Sequence, residues 1–237
     1  MSRVERTKDW YDKSYSQLGM AAQRRYPNEE LLRFFGRYYF SEPTEQRCST
    51  RVLEMGCGSG ANLCMIAREG FDAYGIDLSP EAINLCAQIL ENGGTTATLH
   101  TGSMTACPYP ENYFDVIVDV FSSYCLDEAN FGAFLDEVGR LLRRGGRFFS
   151  YTPSKASDAF HNPGPSRRID ASTLDGIRRE TSPYYGNDYP FRFIAGKEIQ
   201  AALEARAMRC VYNETVGRTY KGGNEYFEFV VTVANKL

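Results

Sequence analysis

Histidine is nearly absent from this sequence: His100 and His161 are the only two in 237 residues, and they lie far apart. The seven cysteines, at 48, 57, 64, 86, 107, 125 and 210, form no CxxC pair. Without a Cys/His cluster at ligand spacing, no metal site is expected. The odd, scattered cysteine count reads as reduced thiols in a cytoplasmic protein. No apolar run approaches the roughly 20 residues of a membrane span. Met1–Gln17 is polar and mixed in charge, without the apolar stretch of a secretion signal. A basic surplus is missing too: 27 Lys and Arg against 30 Asp and Glu leave a formal charge of −3. That disfavours nucleic acid as a general partner. The expected partner is a small molecule, with no membrane and no nucleic acid, for a chain that is a monomer or homodimer.

What is present is a sizeable α/β pattern, long enough to bury its own core. Arg51–Met55, Asp72–Ile76, Thr96–His100, Phe114–Val120 and Arg147–Tyr151 read as strands. Ala61–Glu69, a helix opened by Ser79-Pro80, and Glu128–Arg143 alternate with them. Phe131, Phe134, Leu135, Val138, Leu141 and Leu142 fall on one helical face, and Gly145-Gly146 is the expected stop. This alternation predicts a parallel sheet covered by helices. Met208–Thr219 and Tyr226–Ala234 read as antiparallel neighbours across Gly222-Gly223-Asn224. Asn28–Phe40 is an amphipathic helix expected to cover the edge or mouth of the sheet. Residues 153–192 break the rhythm with Pro, Ser, Asp, Arg and Tyr, as functional loops do.

The segment Val52–Asn62 joins a strand to a helix through Gly56, Gly58 and Gly60. Glycines there permit a tight turn and close approach of a ligand to free N–H groups at a helix start. Asp77 ends the next strand, where a carboxylate can accept from both hydroxyls of a ribose. The glycine spacing alone also fits a dinucleotide site, so a nicotinamide-dependent oxidoreductase is one alternative. A non-catalytic cofactor-binding protein acting through a partner is another.

Four motifs in order narrow the choice. They are Glu54-Met55-Gly56-Cys57-Gly58-Ser59-Gly60, Ile76-Asp77-Leu78-Ser79-Pro80, Tyr113-Phe114-Asp115-Val116-Ile117-Val118-Asp119, and Leu141-Leu142-Arg143-Arg144-Gly145-Gly146-Arg147-Phe148. Over about residues 50–152 the sequence thereby resembles the class I S-adenosylmethionine-dependent methyltransferases. The resemblance implies an α/β, Rossmann-like, mostly parallel seven-stranded sheet with an antiparallel C-terminal strand and helices on both faces. It implies one domain over 1–237: an N-terminal helical cap at 1–44, a cofactor-binding core at 45–152 and 193–237, and a substrate lid at 153–192. S-adenosylmethionine would be the cofactor and S-adenosylhomocysteine the product. Glu54, Gly56, Cys57, Gly58 and Gly60 would surround its methionine part. Asp77 would hold the ribose, with Leu78 beside the adenine and Ser103 and Met104 at the adenine edge. Many relatives carry Asp where Ser103 stands. Asp119, Val120 and Phe121 would lie where cofactor and acceptor meet, and Tyr11, Tyr15 or Arg25 would reach the cofactor carboxylate.

The expected reaction is O- or N-methylation of a small molecule by in-line displacement, which depends above all on alignment. A hydroxyl acceptor needs a base, for which Asp119, His161 and a lid tyrosine are the candidates. Arg167, Arg168, Arg178, Arg179 and Arg192 share the lid with Tyr184, Tyr185 and Tyr189. They read either as a solvated charged face or as an anion clamp for a sugar-like or anionic metabolite.

Overall fold

The computed structural model describes residues 3–19 and 24–237. In chain order the helices are α1 (Arg3–Leu18), α2 (Glu29–Tyr38), α3 (Thr44–Arg47), α4 (Ala61–Arg68), α5 (Pro80–Asn92), α6 (Glu128–Leu141), α7 (Asp158–His161) and α8 (Gly196–Glu204). The strands are β1 (Arg51–Met55), β2 (Asp72–Asp77), β3 (Thr98–Thr101), β4 (Phe114–Val120), β5 (Leu142–Pro153), β6 (Thr173–Leu174), β7 (Phe191–Arg192), β8 (Met208–Tyr220) and β9 (Glu225–Lys236).

Seven strands form one sheet in the order β3-β2-β1-β4-β5-β9-β8. The first five are parallel, β9 runs antiparallel to β5, and β8 pairs antiparallel with β9. Alternation along each strand splits the core into two layers. Leu53, Ile117, Phe148 and Val230 face α6 and α8, which contribute Phe134, Leu135, Val138, Ile199 and Leu203. Val52, Val116, Val118, Phe149, Val231 and Val233 face the other way, toward α2, α4 and α5. The strand order reverses between β1 and β4, so their carboxyl ends splay around a crevice, the usual ligand position in such sheets.

Three expectations about local structure are corrected. The helix read as Glu128–Arg143 stops at Leu141, and the strand begins at once at Leu142. Leu142 pairs with Phe114 and Arg147 with Val116, so residues 143–146 bulge out of the ladder. The double glycine therefore serves a bulge within β5 rather than a helix stop. The amphipathic helix read over Asn28–Phe40 does not cap an edge. Its Leu31, Phe34 and Phe35 are core residues on one sheet face, and the Phe34 and Phe149 rings lie 5.1 Å apart. The mouth is covered by α1 instead, which contacts α5 and ties Asp12 to the Ser79 hydroxyl.

Residues 153–192 are packed despite their loop-like composition. Phe160, Leu174, Ile177, Tyr189 and Phe191 form a third apolar cluster with Phe227 and Phe229 of β9. Aromatic mass replaces regular periodicity here, which is why a period-based reading finds no order in it.

Candidate active site

The glycine loop leaves β1 at Gly56, whose φ of +73° is left-handed and whose missing side chain makes room for Ser122. Gly60 closes the loop at φ +88°, where a Cβ would stand 2.5 Å from the Cys86 sulfur of α5. No side chain caps the α4 start that follows. Its first N–H groups are thus left for a ligand, as at other helix starts used for binding.

Two carboxylates flank this loop. Asp77 is held in place by the loop itself, accepting from Gly58 N–H at 2.9 Å and Ser79 N–H at 2.9 Å. Burial raises its pKa, while those backbone donors pull the other way. Glu54 is fully buried, and one oxygen accepts from Asn62 Nδ2 at 2.7 Å. Its other oxygen, Oε2, is buried without a partner among the described residues. Burial pushes the Glu54 carboxyl up to about 8, against the opposing Asn62 hydrogen bond. An orphaned acceptor of this kind is costly unless a ligand donates to it. Asn62 also accepts from the Asn28 N–H at 2.8 Å, so the cap of α2 and the Glu54 carboxylate share one amide.

A hollow of about 480 Å³ opens above the loop. Of the expected site residues, Tyr11, Tyr15, Glu54, Gly56, Cys57, Gly58, Asp77, Met104, Val120 and Phe121 line it. A narrower cleft continues from it past Asp77, Leu78, Ser103 and Met104. Ser103 spends its hydroxyl on Thr105, 2.8 Å from that residue's own hydroxyl. Tyr15 brings its hydroxyl to 3.0 Å from where a Gly58 Cβ would stand. Phe121 is held at φ +56° and stacks on Tyr124 with centroids 4.0 Å apart, turning the end of β4 into one wall.

Four expected residues, Gly60, Asp119, His161 and Arg25, line neither the cleft nor the hollow. Asp119 is fully buried beneath it and saturated. It accepts from the hydroxyls of Ser122, Ser123 and Ser150 and from the Ser123 N–H. That network fixes the turn after β4, since the Ser122 hydroxyl also donates to the Met55 carbonyl. His161 is exposed at the end of α7 and lies outside the hollow. Arg25 faces a groove beside Cys64 and Met65; its neighbour Arg24 borders that groove and also lines the hollow, which Arg25 does not.

The lid arginines do not form an anion clamp in this hollow. Arg167 and Arg178 pair with Asp175, Arg179 with Glu225, and Arg192 with Asp170, while Arg168 stacks over Phe160. The lid tyrosines Tyr184, Tyr185 and Tyr189 do line it, with Trp10 and Tyr124. Arg24, Asn62, Ser122 and Tyr124 are site residues that the sequence reading missed. Asn62 was within reach, since it closes the glycine motif, but its partner Glu54 stands eight positions away across a fold-dependent turn.

Residues 52–146 match the methyltransferase domain family. Over 131 residues the chain is 34% identical to a fatty-acid O-methyltransferase of Mycolicibacterium smegmatis, covering 54% of this chain and 46% of that protein. The chain thus spans less than half the length of that curated relative. Among solved structures, the 1,6-didemethyltoxoflavin-N1-methyltransferase of Burkholderia thailandensis, with bound 1,6-didemethyltoxoflavin and S-adenosylhomocysteine, superposes with a TM-score of 0.62. It is 16% identical, and the match covers 100% of this chain and 91% of that one. The cyclase SpnF superposes with a TM-score of 0.68 at 16% identity, over 98% of this chain and 96% of that one. Those two likenesses are of fold. The family match covers residues 52–146, which hold the glycine loop and the Asp77 carboxylate, and the structural likenesses add the fold.

Proposed function

We propose that this chain transfers a methyl group from S-adenosylmethionine to a small-molecule acceptor. The observation that carries the reading is the half-paired Glu54 carboxylate, buried at the floor of a glycine-loop hollow with Asp77 beside it. The residues present suit the cofactor. Glu54 Oε2 lacks a donor that an ammonium group provides, and Asp77 sits where ribose hydroxyls can donate to it. Arg24, the arginine that faces the hollow, takes over the carboxylate contact first assigned to Arg25, with Tyr15 near it. Leu78, Ser103 and Met104 border the narrow cleft, which suits a flat purine.

When bound, S-adenosylmethionine supplies an electrophilic methyl group on a sulfonium. The chain's own part is alignment and exclusion of water. Trp10, Tyr11, Phe121, Tyr124, Tyr184 and Tyr189 supply an aromatic wall to the same hollow. Asp119 works through others in this reading: it holds Ser122 and Ser123, and so the position of Phe121 and Tyr124. A proton-abstracting role for Asp119 or His161 has no support from the geometry, since one is saturated and the other lies outside.

The test is calorimetric titration with S-adenosylhomocysteine, followed by a metabolite screen for its release from S-adenosylmethionine. Micromolar or tighter binding that disappears in Asp77→Ala supports the reading. Saturable NADH binding with no response to S-adenosylhomocysteine would overturn it.

A further inference from the structure

Three phenols meet in the wall of the hollow. Tyr11 comes from α1, Tyr124 from the turn after β4, and Tyr189 from the stretch before β7. Tyr11 Oη lies 2.6 Å from Tyr124 Oη and 2.9 Å from Tyr189 Oη, and the Tyr124 and Tyr189 hydroxyls also touch. All three side chains line the hollow. A phenol has one proton to donate, so a closed triangle consumes each proton internally. Such a triangle can open toward an anionic oxygen at a gain, because a hydrogen bond to an ion is about twice as strong as a neutral one. Burial foremost pushes these phenols up: Tyr189 to about 12, against the opposing hydrogen bonds of Tyr11 and Tyr124, with Tyr11 and Tyr124 well above the usual phenol value. They therefore remain donors and do not act as bases.

Among the described residues, the rest of the chamber offers nothing to deprotonate an alcohol. Glu54 and Asp77 belong to the glycine loop, Asp119 is saturated by serines, and burial pushes the Cys125 thiol up to about 12. An acceptor that arrives already ionised needs no base. We infer that the acceptor is a carboxylate on an apolar body, one oxygen held by the Tyr11, Tyr124 and Tyr189 hydroxyls while the other attacks the methyl carbon. A carboxylate suits this arrangement because its two oxygens divide the work: the held one anchors, and the free one reacts. In the step, an oxygen lone pair forms the O–CH₃ bond, the S–CH₃ bond breaks, and its electron pair stays on sulfur. The negative charge of the carboxylate and the positive charge of the sulfonium both vanish, no proton moves, and the product is a methyl ester. Burying two opposite charges that cancel is what an uncharged aromatic chamber favours. The Phe121 and Tyr184 rings, 5.0 Å apart, offer faces for the apolar body.

This inference rests on the methyl-transfer reading, and the experiment separates the two. The full chain, loaded with S-adenosylhomocysteine, is titrated calorimetrically with benzoate, cinnamate and octanoate, and in parallel with benzylamine and aniline. The same acids are then offered with S-adenosylmethionine and the products read by mass. The expected result is binding of at least one acid, formation of its base-labile methyl ester, and no turnover of the amines. In Tyr124→Phe and Tyr189→Phe, acid affinity should fall about tenfold or more, the size expected for a hydrogen bond to a charged group. S-adenosylhomocysteine affinity should hold within about twofold, which shows that these variants fold. Methylation of an amine in preference to every acid, failure of all three acids to bind, or acid binding indifferent to both variants would overturn the carboxylate assignment alone. Absence of S-adenosylhomocysteine binding in the unaltered chain would sink the methyl-transfer reading itself.

Discussion

Glu54 concentrates the chemistry of the site in one side chain. Folding raises its pKa to about 8, so the folded protein holds a proton there that the unfolded chain releases near the ordinary carboxylate value. The stability this proton provides is complete below about pH 4 and is lost as pH rises through about 8. Binding of an ammonium group needs the ionised form, so it must expel that proton. Affinity for S-adenosylhomocysteine is therefore expected to rise from about pH 6 to about pH 8, with proton release visible as a buffer-dependent heat in calorimetry. In Glu54→Gln the slope should flatten and affinity should fall by about 1.5–3 kcal/mol. A slope that survives the substitution would place the ligand elsewhere. Gly56 makes a separate prediction. Its left-handed φ and the Ser122 side chain leave no room for a methyl group, so Gly56→Ala should lower stability by more than about 1 kcal/mol in denaturant titration. An unperturbed unfolding midpoint would show that the loop can relax.

At the scale of elements, α2 is part of the core. Phe35 is fully buried between Phe71 and Tyr39, and Phe35→Ala should cost about 3–5 kcal/mol. Its cap is a smaller matter: Asn28 accepts from the N–H groups of Glu30 and Leu31, and Asn28→Ala should cost about 1 kcal/mol. The two variants distinguish packing from capping by the size of the shift in thermal unfolding. A small effect at Phe35 would mean that α2 detaches easily from the sheet. By contrast, α1 is held over the mouth by polar contacts as well as rings: Asp12 to Ser79, Arg3 to Asp127, the Tyr11 hydroxyl to two other phenols, and Trp10 edge-on to Tyr189. The periodic, apolar pattern of α2 announced a helix, yet the sequence reading sent it to the edge or mouth of the sheet. Periodicity reports that a face is buried and not which surface buries it.

Across the whole molecule, a ligand that bridges the glycine loop, the end of β4 and α1 should stabilise all three together. Saturation with S-adenosylhomocysteine at about a hundred times its Kd should add about 2.7 kcal/mol, read as a rise in Tm. No rise at that concentration would mean that the ligand does not favour the native state. Within residues 50–152 the sheet was legible because each strand and helix carries its own period, and because the glycine turns and Asp77 are local signals. The strands, the antiparallel pairing of β8 with β9 and the glycine-loop residues were accessible in that way, whereas the strand order came from the fold. The remainder depends on distances that no local pattern encodes. Asp119 looked like a free carboxylate at a strand end until Ser122, Ser123 and Ser150 closed around it. Arg24 and Arg25 are adjacent in sequence, and only the path of the chain decides which one faces the hollow. Four of the five lid arginines found carboxylates and Arg168 found Phe160, leaving the chamber to tyrosines from positions 11, 124, 184 and 189. The sequence by itself determined the cofactor side, because a strand, a glycine turn and a helix start act over a few neighbouring residues. Only the tertiary structure decided the acceptor side, because that chamber is made where three distant segments converge and their side chains choose partners by proximity.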